Sequence, residues 1–123
     1  MFLPPPEYRK KPVGFPTTKE HPVILRSSHL VLHQDIVRAL FKDDKTIYMI
    51  YYPNKRALMV APYFNELFRT IHKAKQYMMK EVANNVENAI PLHGILLDNE
   101  IDANNRVLTY NADVDMNILT VEL

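Results

Sequence analysis

A chain of 123 residues, 47% hydrophobic and 24% charged, is long enough to bury one core and too apolar to stay disordered. Its net charge of +1 supplies no bulk attraction to nucleic acid or to a membrane surface, so any basic patch has to be local. The absence of cysteine excludes disulfides, thiolate nucleophiles and cysteine zinc sites, and Gly14 and Gly94 stand too far apart to build a glycine-rich phosphate loop.

The N-terminal stretch "MFLPPPEYRKK" has no apolar run behind a basic start, so it does not read as a secretory signal. No apolar run approaches the roughly 18 residues that a membrane helix requires. A cytoplasmic protein with no membrane partner is therefore expected. Residues 1–22 hold Pro4, Pro5, Pro6, Pro12, Pro16 and Pro22. Proline lacks the backbone donor and fixes φ, so this segment reads as an extended, partly polyproline arm. Arg9, Lys10 and Lys11 make it basic. Residues 23–123 read as one α+β domain.

Val23–Arg26 and His29–His33 are short strand candidates around Ser27-Ser28. Ile36, Val37, Leu40 and Phe41 then fall at helical spacing and predict a short helix of about two turns. In "IYMIYYPNKRALMVA", Pro53-Asn54 marks a turn between two alternating runs. A loop over Pro53–Arg56 sets Tyr52 opposite Ala57 and Tyr51 opposite Leu58. One face then carries Ile47, Met49, Tyr51, Leu58 and Val60, which should form core. The other carries Tyr48, Ile50, Tyr52 and Met59, with no polar residue on it, so it should meet a second subunit or the rest of the fold.

Phe64, Leu67, Phe68, Ile71, Ala74, Met78 and Val82 follow a 3, 4, 7 pattern and predict one long amphipathic helix of about 20 residues, starting at Pro62 and ending at Asn84-Asn85. Beyond it, "AIPLHGILL", "RVLTYN" and "NILTVEL" read as strands, separated by the turn cluster "DNEIDANN" and by "ADVDM". No internal repeat is visible. The expected fold is α+β, a single domain of mainly antiparallel strands with one short helix and one long one.

No catalytic, cofactor-binding or metal site stands out. His29 and His33 lie four apart on an expected strand, about 13 Å along it, too far to share a metal. Asp98, Glu100, Asp102 and Asn104 echo a calcium loop, but Ala103 and Thr109 occupy its glycine and glutamate positions, so an acidic turn is the better reading. "RSSHL" has no glycine elbow for a serine nucleophile. The feature that remains is aromatic and basic: Tyr48, Tyr52 and Met59 on the hairpin, with Asn54, Lys55 and Arg56 at its tip. Such a surface suits core or dimer contacts, base stacking on nucleic acid, or a small-molecule pocket.

The order of "HLVLHQDIVRALFKDDKTIYMIYYPNKRALMVAP" is strand, helix, turn and hairpin, followed by "YFNELF". Over about residues 28–68 it resembles the AbrB/MraZ class of swapped-hairpin domains. The resemblance implies an obligate homodimer and DNA binding. Where that family has Gly-Arg before the first strand core and proline before the helix, this chain has Ser28-His29 and His33, so no DNA-contacting residue carries over. The expected function is therefore a small non-enzymatic binding protein, a homodimer. Its alternatives are a swapped-hairpin DNA-binding regulator and a ligand-binding domain or enzyme with a pocket between helix and sheet.

Overall fold

The computed structural model describes residues 16–42, 44–82 and 86–123. Among them the chain forms ten strands and three short helices, arranged as two five-stranded sheets. The first sheet holds β1 (Val23–Arg26), β2 (His29–His33), β6 (Lys80–Val82), β7 (Glu87–Pro91) and β8 (Arg106–Val107), in the order β6-β7-β2-β1-β8. The second holds β3 (Thr46–Tyr52), β4 (Ala57–Pro62), β5 (Lys75–Met78), β9 (Tyr110–Asp113) and β10 (Ile118–Glu122), in the order β5-β3-β4-β10-β9. Every pairing is antiparallel. Residues 1–15 of the expected arm lie outside the described residues, as does the expected helix end at Asn84-Asn85.

The core lies between the sheets. Val23, Leu25, Leu30, Leu32 and Ile90 face it from the first sheet, and Ile47, Met49, Leu58, Val60, Leu119 and Val121 from the second. In β1, β2, β3, β4 and β10 the two core residues stand two positions apart, which is the strand period made visible. At about 1.5–3 kcal/mol per fully buried aliphatic side chain, this layer is the main favourable term. Helix α1 (Gln34–Ile36, continuing as a π turn through Val37–Phe41) plugs one end with Val37, Leu40 and Phe41. The His33 side chain caps its first turn by accepting from the Asp35 amide at 3.1 Å.

Both lateral sides of the sandwich are crossed by continuous chain. Met79 lies between β5 in one sheet and β6 in the other, buried in the core, with its amide donating to the Lys45 carbonyl at 2.7 Å. Leu108, between β8 and β9, is likewise buried and donates to the Val23 carbonyl at 3.0 Å. Sheet margins that would otherwise present free strand edges are thereby tied together.

The topology also contains a repeat. Strand, helix and hairpin follow one another in β2–α1–β3–β4, and the same order returns in β7–α3–β9–β10 with β8 inserted after the helix, where α3 is His93–Asp98. Equivalent strands pair with each other, β2 with β7 and β4 with β10. An antiparallel pair has a local two-fold, so the two units are related by an approximate dyad. The hairpins agree in detail: Arg56 and Asn117 both take left-handed φ (51° and 55°), and each immediately precedes the second strand of its hairpin. Leu58 and Val60 in β4, and Leu119 and Val121 in β10, occupy the same second and fourth strand positions and are fully buried. This repeat is absent from the sequence reading because the two copies share topology and burial but few residues.

Two further expectations need correction. The long amphipathic helix is instead α2 (Glu66–His72), followed by β5 and β6. Its start is Asn65, whose side chain accepts from the Phe68 amide at 3.1 Å, and Lys73 ends it in a left-handed conformation at φ 53°. The segment after Lys73 finds backbone partners on the open edges of β3 and β7, which a helix could not use. The run "AIPLHGILL" is strand only as far as Pro91. Beyond it Leu92, Ile95 and Leu96 turn inward at helical spacing, forming α3.

Candidate functional site

The hairpin β3–β4 has the expected register, with Tyr51 opposite Leu58 and Tyr52 opposite Ala57. Its core face is buried as expected for Ile47, Met49, Leu58 and Val60, with Tyr51 packed at the margin. Its second face is covered by the chain's own helix α2. Tyr48, Ala61 and Phe68 form a buried cluster there, and Ile50, Met59 and Ala74 pack against it.

The aromatic side chains of this face are locked by specific contacts. The Tyr48 ring stacks on Tyr63 at 5.5 Å, and the Arg69 guanidinium lies 5.7 Å from the Tyr48 ring centre. The Tyr52 hydroxyl is 2.5 Å from His72 Nδ1, and the His72 ring lies 4.7 Å from Phe68. Tyr48 is therefore buried, and the half-buried Tyr52 is held through its hydroxyl and by an edge contact with the His72 ring. Met59 is a half-buried member of the same layer. The tip residues Asn54, Lys55 and Arg56 are exposed. Arg56 borders a polar cavity of about 360 Å³ with Glu100, Asp102 and Arg106, and its carbonyl accepts from the Leu123 amide at 3.0 Å. Both charge signs line that cavity.

One layer further out, apolar side chains are left uncovered. On α2 only Phe68 is buried. Phe64, Leu67 and Ile71 fall on one stripe of this segment and are 48%, 62% and 64% exposed. The tip of the second hairpin adjoins them: Asn65 Nδ2 donates to the Met116 carbonyl at 3.0 Å, and Met116 is 52% exposed. Lys42 Nζ sits 5.4 Å from the Phe64 ring centre, and Asp115 is exposed beside Met116. The outcome is an apolar patch with a cation and an anion at its rim. The helical spacing that marked Phe64, Leu67 and Ile71 as one face was readable in sequence. That this face points away from the core was not.

Two of the polar candidates make local contacts. His29 Nδ1 contacts the Ser27 carbonyl at 2.8 Å, and Asp102 accepts from the Asn104 amide at 3.0 Å in a closed acidic turn. Among the described residues, no three histidine, aspartate or glutamate side chains converge as metal ligands, and no helix is long and apolar enough to cross a membrane. Sequence reasoning missed Glu87. Its carboxylate is 2% exposed and takes three donors: the Thr17 amide at 2.6 Å, the Thr17 hydroxyl at 2.7 Å and Arg26 Nη2 at 2.9 Å. Burial alone would push its pKa up. The Arg26 hydrogen bond, the Thr17 donors and the Arg26 charge outweigh burial and hold it below the usual carboxylate value.

Comparison with protein-family models, with curated proteins and with solved structures gave no match.

Proposed function

We propose that the protein is a non-enzymatic interaction module that pairs with a second copy of itself through the patch of Phe64, Leu67, Ile71 and Met116. The observation that carries this is the exposure of four large apolar side chains on neighbouring elements. Scattered single exposures are ordinary, whereas a contiguous group marks a contact surface. The rim favours a second copy over other occupants. Lys42 and Asp115 lie at the same patch, so a two-fold pairing can set each against its opposite in the other subunit. A strongly charged partner would match only one of them. The hairpin need not be exchanged for this dimer, because its second face is already covered by α2.

The test is sedimentation velocity at micromolar concentration. The wild type should run as a dimer, and Leu67→Asp as a monomer with an unchanged circular dichroism spectrum. A monomeric wild type sinks the proposal.

A second reading, DNA binding of the swapped-hairpin type, is favoured by the repeated strand–helix–hairpin unit. Against it, only the first hairpin tip is basic, with Lys55 and Arg56, whereas the second carries Asp113 and Asp115. Retention on duplex DNA at low salt, lost steeply as salt rises, would support it, and passage through the column at low salt would end it.

A further inference from the structure

We propose that the outer face of the first sheet binds a small apolar monocarboxylate. This face points away from both the core and the α2 patch. Register places its side chains in rows: Pro91, His29 and Arg26 in one, and Lys80, Ala89, Val31 and Ile24 in the next. Ile24, Val31 and Ala89, with Val82 against them, form a separate apolar cluster on this face. Over them lies a cavity of about 290 Å³, floored by Val31, Val82, Ala89 and Pro91 and rimmed by Arg26, His29 and Lys80. That volume falls at the lower edge of the ~300–1,000 Å³ range of small-molecule pockets, and an apolar floor with few polar groups at the margin is their usual composition.

The charge at the rim selects the ligand. The nearest buried acid, Glu87, is already matched by Arg26 and Thr17, so it does not repel an anion. Among the described residues Lys80 has no carboxylate partner. An apolar tail on the floor with a single anionic head toward Lys80 satisfies both parts of the site.

The mouth is also built at a conformational cost. Ser27 and Ser28 both hold left-handed φ, at 51° and 61°, in the two-residue turn between β1 and β2. Asparagine or glycine is the usual choice there. The turn is held by the Ser27 amide donating to Asn105 Oδ1 at 2.9 Å, and Ser27 lines the cavity. Non-glycine residues in this region persist where surrounding structure fixes them, which is common at ligand sites.

Octanoate is the probe. Titration calorimetry of the full chain should give one site per chain, with 1-octanol binding about tenfold or more weakly. Lys80→Gln, an exposed change, should weaken octanoate about threefold to tenfold through loss of one charge contact. Ala89→Leu, which fills the floor, should abolish binding with the fold retained by circular dichroism. Leu67→Asp, on the opposite side, should leave affinity unchanged and so separates this site from the dimer patch. No octanoate binding, equal binding of octanol, or binding indifferent to Lys80→Gln would each overturn the proposal.

Discussion

Glu87→Gln tests the buried polar centre of the first sheet. The substitution keeps shape and removes the charge that Arg26 and the two Thr17 donors address. Breaking a buried ion pair from one side costs about 3–5 kcal/mol where the remaining charge loses all compensation, and less where it keeps other partners. The Arg26 side chain is 11% exposed, so some hydration is recovered, and the glutamine carbonyl still accepts one donor. The lower end, about 3 kcal/mol, is expected, equivalent to a fall in Tm of roughly 10 °C for a chain of this size. The pH dependence supplies the sharper signature. The folded-state pKa of Glu87 is lowered, so its stabilising contribution is complete above the unfolded carboxyl pKa. It is lost as pH falls through the lowered folded value. Urea unfolding of wild type and variant should therefore show a gap that is full at neutral pH and narrows in acid. A gap under about 1 kcal/mol at neutral pH, or one that stays constant into acid, would refute the account of this network.

Phe68→Ala should cost about 3 kcal/mol or more, since Phe68 is 3% exposed and is the one buried residue of α2. Hydrogen exchange should show α2 amides losing protection ahead of β3 and β4, and a uniform loss would contradict the layered arrangement. Leu67→Asp, one position away but 62% exposed, should change the stability of the dilute protein by no more than about 0.5 kcal/mol in urea.

The parts of the fold written locally were legible. The hairpin alternates over both runs and carries Pro53-Asn54 at its turn, so faces and register followed from neighbours alone. The parts that depend on distant pairing were not. Glu87 meets Thr17 across 70 positions, and nothing near either residue marks the contact. Helix α3 was hidden in an apolar run whose strand portion ends at Pro91, a length at which periodicity separates strand from helix poorly. For the hairpin's second face the sequence specified that it needed cover. The cover proved to be α2, which moved the uncovered apolar surface from Tyr48 and Tyr52 to Phe64, Leu67 and Ile71.

The segment after Lys73 is where two periods compete, and one pair of substitutions decides between them. Ala74, Met78 and Val82 fit a helical stripe, and in that reading Met78 belongs to the core and Met79 does not. As strand the assignment reverses. Gln76 and Met78 share the outer face with Tyr48 and Thr46, their partners on β3. Tyr77 packs on the core from β5, and Met79, where the chain passes between sheets, is 3% exposed in it, against 62% for Met78. Met79→Ala should cost about 2–3 kcal/mol through lost burial and the cavity left behind, and Met78→Ala less than about 0.5 kcal/mol. Both belong in urea titrations at low protein concentration, which keeps self-association through the neighbouring α2 patch out of the comparison. If Met78→Ala proved the costlier of the two, the helical stripe would be the true packing face. The crossing that ties the sheets together at Met79 would then be wrong, and with it the edge pairing of β5 on β3.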